Sequence, residues 1–295
     1  MNEPAYFGKR FDVIAKLYAK NHHVQSEHLR RLMERFNDIK GDFPCILDLG
    51  CGPGDASVQL KKRFPKSTLF ALDISRNMLT IAKSKRAFFN PYQCVQADVS
   101  ALPFANESID LIFAHHVLAY LPDMKAGFAE WHRVLKPGGG VMLTSFGPDT
   151  YREVKAAFLN IDDKHHTHNF CDLHQIGDAL MQQGFIDPVI DRADLSLRFG
   201  SPQALLTHLK VQGGMFNRQR KGLMTPRQYQ RLLDSLENVL MHELITAHAW
   251  RGKTKAKENT QVITLAELKA NLKNHARLKI GDDHKGVNNE VGESL

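Results

Sequence analysis

From residue 45 to 146, short apolar runs alternate with longer amphipathic stretches. The apolar runs are CILDLG (45–50), TLFALD (68–73), YQCVQAD (92–98), DLIFAHH (110–116) and VMLTSF (141–146); helix-like stretches fill 55–64, 76–87 and 124–135. This rhythm predicts βαβ units, and hence a parallel sheet with helices on both faces. Upstream, 11–39 predicts helices, with Phe11, Ile14, Ala15 and Tyr18 at helical spacing. Downstream, 149–159 and 172–183 predict helices, the second ending at Gly184. DPVIDRADLSLRF (187–199) and HELITAHAW (242–250) alternate like strands. Between them, 201–238 predicts basic helices, broken at Gly213-Gly214 and restarted at Thr225-Pro226. If the last two strands pair, those helices form an insertion above the sheet.

Composition acts mainly by exclusion. With 295 residues, 43% hydrophobic and 24% charged, the chain has ample means to bury a globular core. The expected organisation is one α/β domain over 1–250, with N-terminal cap helices over about 8–40 and the helical insertion over about 201–238. A polar, basic extension over 251–295 follows, and its last stretch, GDDHKGVNNEVGESL, has too little apolar content to fold. The formal net charge of +7 favours acidic partners. Cys45, Cys51, Cys94 and Cys171 form no CxxC pair and read as reduced thiols of a cytoplasmic protein. No apolar run approaches a membrane span, and MNEPAYFGKRFD lacks the apolar stretch of a signal peptide.

The chemistry concentrates in Ile46-Leu47-Asp48-Leu49-Gly50-Cys51-Gly52-Pro53-Gly54. An apolar strand runs into glycines that permit a tight turn and close approach of a ligand. Asp73 closes the second strand, where it suits the hydroxyls of a ribose. A dinucleotide fingerprint would put its third glycine at 55 and a pyrophosphate on the helix N-terminus. Here Pro53 has no N–H to donate, Asp55 would repel a phosphate, and no P-loop lysine follows. An adenosyl ligand without phosphates fits this turn better.

The ILDLGCGPG turn, Asp73, QADVSALPF (96–104) and LKPGGG (135–140) resemble class I methyltransferases that use S-adenosylmethionine. That resemblance implies a Rossmann-like sheet, no metal, and a cofactor approached by Gly50, Gly52 and Gly54 with Asp48 near its methionyl end. It places Asp73 on the ribose, Asp98 on the adenine amino group, and Ile74, Val99 and His115 alongside. The (D/N)PP(Y/F) motif of nucleic-acid amino-methylating enzymes is replaced by Ala114-His115-His116-Val117, so a nucleic-acid substrate has no specific support. Cys51 and Cys94 read as structural, not as the nucleophile of a cytosine-C5 enzyme.

The flanks narrow the resemblance. FDxxAxxY (Phe11, Asp12, Ala15, Tyr18), TSFGPDTYREV (144–154), HNFCDLHQIGDAL (168–180), LKVQGGMFNRQRKGLMTPRQYQRLL (209–233) and HAW (248–250) resemble the BioC family of malonyl-[acyl-carrier protein] O-methyltransferases, which act in biotin synthesis. The family implies an N-terminal segment closing over the cofactor and inserted helices covering the substrate side. This chain departs from it at Ala119-Tyr120, where the family commonly has Gln-Trp, and in its short 236–242 stretch.

A malonyl carboxylate is already ionised near pH 7, so it needs alignment and dehydration but no general base. Tyr18, His116 and Arg198 are the candidates to hold it. Arg218, Arg220, Lys221 and Arg227, in a run with Lys210 and Arg231, are expected to receive the acidic carrier protein. The His165-His166-Thr167-His168…Cys171…His174 stretch has no standard zinc spacing and reads as a polar loop before a helix. Alternatives are a related protein-arginine hydroxylase, a non-catalytic adenosylmethionine binder, and a small-molecule O-methyltransferase using His115 or His116 as base.

Overall fold

Strand β1 (Cys45–Leu49) lies inside a seven-stranded sheet, pairing in parallel with β2 (Thr68–Asp73) on one side and β4 (Ile109–His115) on the other. The structure, a computed structural model, describes residues 3–36, 41–162, 164, 166–213 and 224–253, all within the unit Met1–Lys253. The strand order is β3-β2-β1-β4-β5-β7-β6, where β3 is Gln93–Gln96, β5 Leu135–Phe146, β6 Phe185–Arg198 and β7 Val239–Arg251. Of these seven strands, β7 alone runs against the direction of the others.

Helices cover both faces because successive strand residues point to opposite sides. Ile46, Leu111, Phe113 and Met142 face a core shared with α2 (His23–Arg35), α3 (Asp55–Arg63) and α4 (Arg76–Ser84). Leu47, Ile112, Val141 and Ile245 face the other core, filled by Phe128 and Trp131 of α5 (Met124–Val134) and Ile176 and Leu180 of α7 (Leu173–Gln182). The last two strands do pair, from Phe185 opposite Arg251 to Arg198 opposite Val239. The intervening helices α8 (Pro202–Val211) and α9 (Pro226–Ser235) bury Leu205, Leu209, Leu232 and Leu233 against Val154 and Phe158 of α6 (Arg152–Leu159). Thr225 starts α9 with a reciprocal capping box to Gln228, as the Thr-Pro signal predicts.

Several boundaries differ from the pattern-based reading. The N-terminal helix α1 begins at Glu3, not at 11, and is separated from α2 at His22. Strand β5 starts at Leu135 because the chain bulges between the pairs Ile109–Leu135 and Leu111–Gly140, carrying LKPGGG into the sheet. Helix α6 starts three residues later than expected, since the Tyr151 N–H is given to the Met241 carbonyl of β7. The extension lies, from Thr254 on, outside the described residues.

Helix α1 is tied to the sheet layer through Asp12. Its Oδ1 accepts from the Ser75 hydroxyl (2.6 Å) and from the Asn77 N–H (2.9 Å), an otherwise orphaned donor at the start of α4. Its carbonyl accepts from the Asn77 side chain. The expected outcome of Asp12→Ala is loss of roughly 1–2 kcal/mol of α1 anchoring. Hydrogen exchange checks it: amides of α1 should exchange about tenfold faster while those of β1 and β4 do not change.

Candidate functional site

The strand order reverses between β1 and β4, and the crevice at their carboxyl ends is where an open α/β sheet takes a ligand. Here it is a cavity floored by Gly50, Gly52 and Asp73 and covered from α1 by Phe7, Phe11 and Tyr18. A narrower recess shares Tyr18, Gln25, Gly50, Gly52 and His115 with it and reaches down to Asp48.

The three glycines of the turn do three different things. At Gly50, φ is +62° and a Cβ would lie 2.4 Å from Val117 Cγ2, so a glycine lets the turn after β4 close over it. At Gly52, φ is +52° and a Cβ would meet nothing within 4 Å, which leaves backbone open to the cavity. Gly54 lines neither recess; a Cβ there would lie 2.9 Å from Ala82 Cβ and from the Tyr92 hydroxyl. Its lack of a side chain lets the start of α3 pack closely on α4.

Asp48 is fully buried; its Oδ2 accepts from the Ser57 hydroxyl at 2.5 Å while Oδ1 has no partner. Burial pushes its carboxyl up to about 7. Asp73 accepts from the N–H groups of Gly52 (2.9 Å) and Ser75 (2.8 Å), and burial pushes it to about 6. Asp98 accepts through Oδ1 from the backbone and hydroxyl of Ser100, and Val99 beside it gives its carbonyl to the Trp131 indole N–H at 3.1 Å. Ile74, Asp98, Val99 and His115 all line the cavity.

The other end of the cavity is aromatic and uncharged. Tyr120, from the Ala119-Tyr120 position, meets Phe7 and Phe11 edge-on at 5.2 Å. His116 follows β4 with φ +57° and lies against Phe146 at 4.1 Å. His115 gives Nε2–H to the Gln25 carbonyl at 2.9 Å, so its Nδ1 accepts from the Thr144 hydroxyl at 2.7 Å. Burial lowers His115 to about 4, holds His116 well below the ordinary histidine value, and raises Tyr18. Among the described residues that line the cavity there is no lysine or arginine. Arg198 stands exposed on β6 and is not among the residues that line the cavity.

Five buried polar atoms without a partner belong to residues lining these recesses: Gln25 Oε1, Asp48 Oδ1, His116 Nδ1, His168 Nε2 and Gln212 Oε1. Such atoms are costly unless a ligand satisfies them, so their clustering marks a binding site. The histidine-rich stretch disperses: His166 stacks on Phe158 at 3.7 Å, His168 faces the cavity and His174 is exposed. Among the described residues no group of His, Cys, Asp and Glu is arranged to hold a metal ion. Sequence reading did not find Gln25, Thr144 or the roof residue Phe7. The 11/18 spacing did put Phe11 and Tyr18 on one face.

No described helix is long and apolar enough to cross a membrane. Residues 47–143 match the methyltransferase domain family. The fold resembles that of the YcgJ protein from Bacillus subtilis, with a TM-score of 0.55 and 14% identity, covering 79% of this chain and 100% of that one. A malonyl-[acyl-carrier protein] O-methyltransferase of Gallionella capsiferriformans is 32% identical over 88% of this chain and 94% of its own length. One from Legionella pneumophila is 34% identical over 85% of this chain and 92% of its own. With that identity over more than four fifths of both chains, the chain belongs to the malonyl-[acyl-carrier protein] O-methyltransferase family.

Proposed function

We propose that this protein transfers a methyl group from S-adenosylmethionine to the free carboxylate of a malonyl thioester on acyl-carrier protein. The product is the methyl ester with which the family's pathway to biotin begins. The observation that carries this reading is similarity over 88% and 85% of the chain to enzymes of that name, and a cavity at the strand ends whose described lining holds no lysine or arginine supports it.

The residues fit the cofactor. The partnerless Asp48 Oδ1 suits the ammonium of the methionyl end, and the open face of Gly52 permits close approach. The Asp73 carboxylate takes the ribose hydroxyls, and Asp98 takes the adenine amino group, with Ile74, Val99 and His115 packed beside the nucleoside. When bound, S-adenosylmethionine supplies an electrophilic methyl group on a sulfonium.

The chamber suits a carboxylate nucleophile. Tight pairing with a guanidinium would stabilise its charge and blunt its attack; neutral donors align it at smaller cost. Tyr18 and His116 are the donors assigned to it. Neither histidine suits the role of general base: both His115 nitrogens are engaged, and burial disfavours protonating His116. That favours methylation of a group already ionised over deprotonation of a hydroxyl. The phenyl roof of α1 excludes water, which frees the carboxylate from its hydration shell.

The carrier protein is acidic, and the insertion that borders the chamber is basic. Arg227 stands exposed on α9; Arg218, Arg220 and Lys221 lie outside the described residues. We assign the four to carrier docking and place the reaction in the cytoplasm.

Malonyl-acyl-carrier protein incubated with S-adenosylmethionine should gain the mass of one methyl group, lost again in alkali, while the acetyl form gains none. Mass spectrometry reads this directly, and an alkali-stable gain would overturn the carboxylate assignment.

Binding should also depend on pH in a stated direction. Asp48 carries its proton below about 7 in the free protein, and a cofactor ammonium stabilises the ionised form. Above that pH the carboxylate is already charged and affinity is flat. Below it, binding must expel the proton, so affinity falls toward about tenfold per pH unit. Asp73, at about 6, acts in the same direction. Calorimetry in buffers of differing ionisation enthalpy should record proton release near pH 6, and Asp48→Asn should abolish most of it.

Reversing two charges among Arg218, Arg220, Lys221 and Arg227 should raise KM for the carrier-bound substrate at low salt. It should leave a free malonyl thioester and cofactor affinity unaffected. The difference should shrink in 1 M salt, where the screening length falls to about 3 Å. Equal loss with both substrates would assign these charges to the fold.

A further inference from the structure

His28 is buried on α2, remote in sequence from the site, yet its ring joins two elements of it. Its Nδ1 lies 3.0 Å from His116 Nε2, and its Nε2 lies 3.0 Å from the Thr246 hydroxyl on β7. The remaining nitrogen of His116, Nδ1, is buried without a partner in a residue that lines the cavity. Burial holds His28 down to about 2 and His116 well below its ordinary value, so each ring is neutral and carries one N–H.

Two proton arrangements satisfy these contacts. In one, Thr246 donates to His28 Nε2, His28 donates from Nδ1 to His116 Nε2, and His116 keeps its proton on Nδ1. In the other, every direction reverses, and His116 Nδ1 offers a bare lone pair. A carboxylate in the cavity distinguishes them at once: it accepts from an N–H and is repelled by a lone pair. The nitrogen of a neutral imidazole that carries the proton is set by the bond its other nitrogen makes.

We propose that His28 is a positioning residue for methyl transfer: by donating to His116 Nε2 it holds His116 in the Nδ1–H tautomer that binds the substrate carboxylate. This rests on the malonyl-thioester reading above and adds to it the group that makes His116 a donor without a net charge.

The surroundings fix the geometry for this. Thr246 sits opposite Thr144 in the β5–β7 register, so two threonines on adjacent strands each serve one imidazole. Because the Thr144 O–H is directed to His115, its oxygen is left to accept the His116 backbone N–H at 3.2 Å. The Thr144 carbonyl accepts from the same N–H at 3.1 Å. His116 is thereby held in its left-handed conformation with its ring between His28 and Phe146.

The test is nitrogen-15 NMR of the histidine rings in the unvaried protein, with S-adenosylhomocysteine and malonyl-acyl-carrier protein both bound, joined to kinetics of two variants. His116 should show a protonated Nδ1 and an unprotonated Nε2. His28→Phe, which keeps bulk and removes the donor, should raise KM for the malonyl substrate about tenfold, with S-adenosylmethionine affinity unchanged within about twofold. His28→Asn, whose amide keeps an N–H toward His116, should return KM to within about threefold of the unvaried protein. A proton on His116 Nε2, an imidazolium, or an unchanged KM in His28→Phe would overturn the proposal. So would an equal loss of cofactor affinity, which marks a structural role. If His28→Phe fails to fold, the ring spectrum and His28→Asn decide. Absence of any methyl ester with the unvaried protein removes the malonyl reading and this inference together, whereas methylation with the wrong tautomer removes this inference alone.

Discussion

The parallel pairing of β1 with both β2 and β4 is the constraint from which the rest of the site follows. Chain order runs outward from β1 in both directions, so the connections leave its two sides on opposite faces of the sheet. A crevice opens where they part. The ends of β1, β2 and β4 then deliver Asp48, Asp73 and His115 to one place, although they lie far apart along the chain. Burial of Leu47 and Ile46 in opposite cores pins the register that sets these heights.

The electrostatics of that crevice are those of a site waiting for charge. Asp48 and Asp73 are buried with no ion pair to either among the described residues, and burial raises both carboxyls. At the other end the histidines are kept neutral by the same desolvation. A cationic ligand next to the carboxylates and an anionic one next to neutral donors would each satisfy groups the protein leaves unpaired. The low dielectric that makes unpaired polar groups costly is what strengthens their hold on a ligand.

The cover is assembled from sequence-distant parts as well. Helix α1 brings Phe7, Phe11 and Tyr18 over the cavity and is held to the start of α4 by its own Asp12, while His22 reaches Asp55 at 2.9 Å at the turn beneath. The helices between β6 and β7 build a small core of their own on α6. Of the described residues of that insertion, uncharged Gln212 reaches the cavity lining.

The sequence alone determined the elements and named several of the residues that line the cavity. Strands and helices are written in local periodicities of two and 3.6, and Gly52, Asp73 and Asp98 sit at strand ends where chain order itself places them. What spacing could not assign is what depends on packing between remote segments. Gly54 looks like its neighbours in the turn, but its close approach to Ala82 on α4 and to Tyr92 makes it a packing glycine. Arg198 lies within the expected strand, yet β6 is the outer edge of the sheet and leaves it exposed. His28 carries no local signal, because its role depends on a helix, a strand end and β7 meeting across 88 and 218 residues of chain. Only the tertiary structure brings those three together, since a hydrogen bond is decided by distance and direction in space and not by separation along the chain.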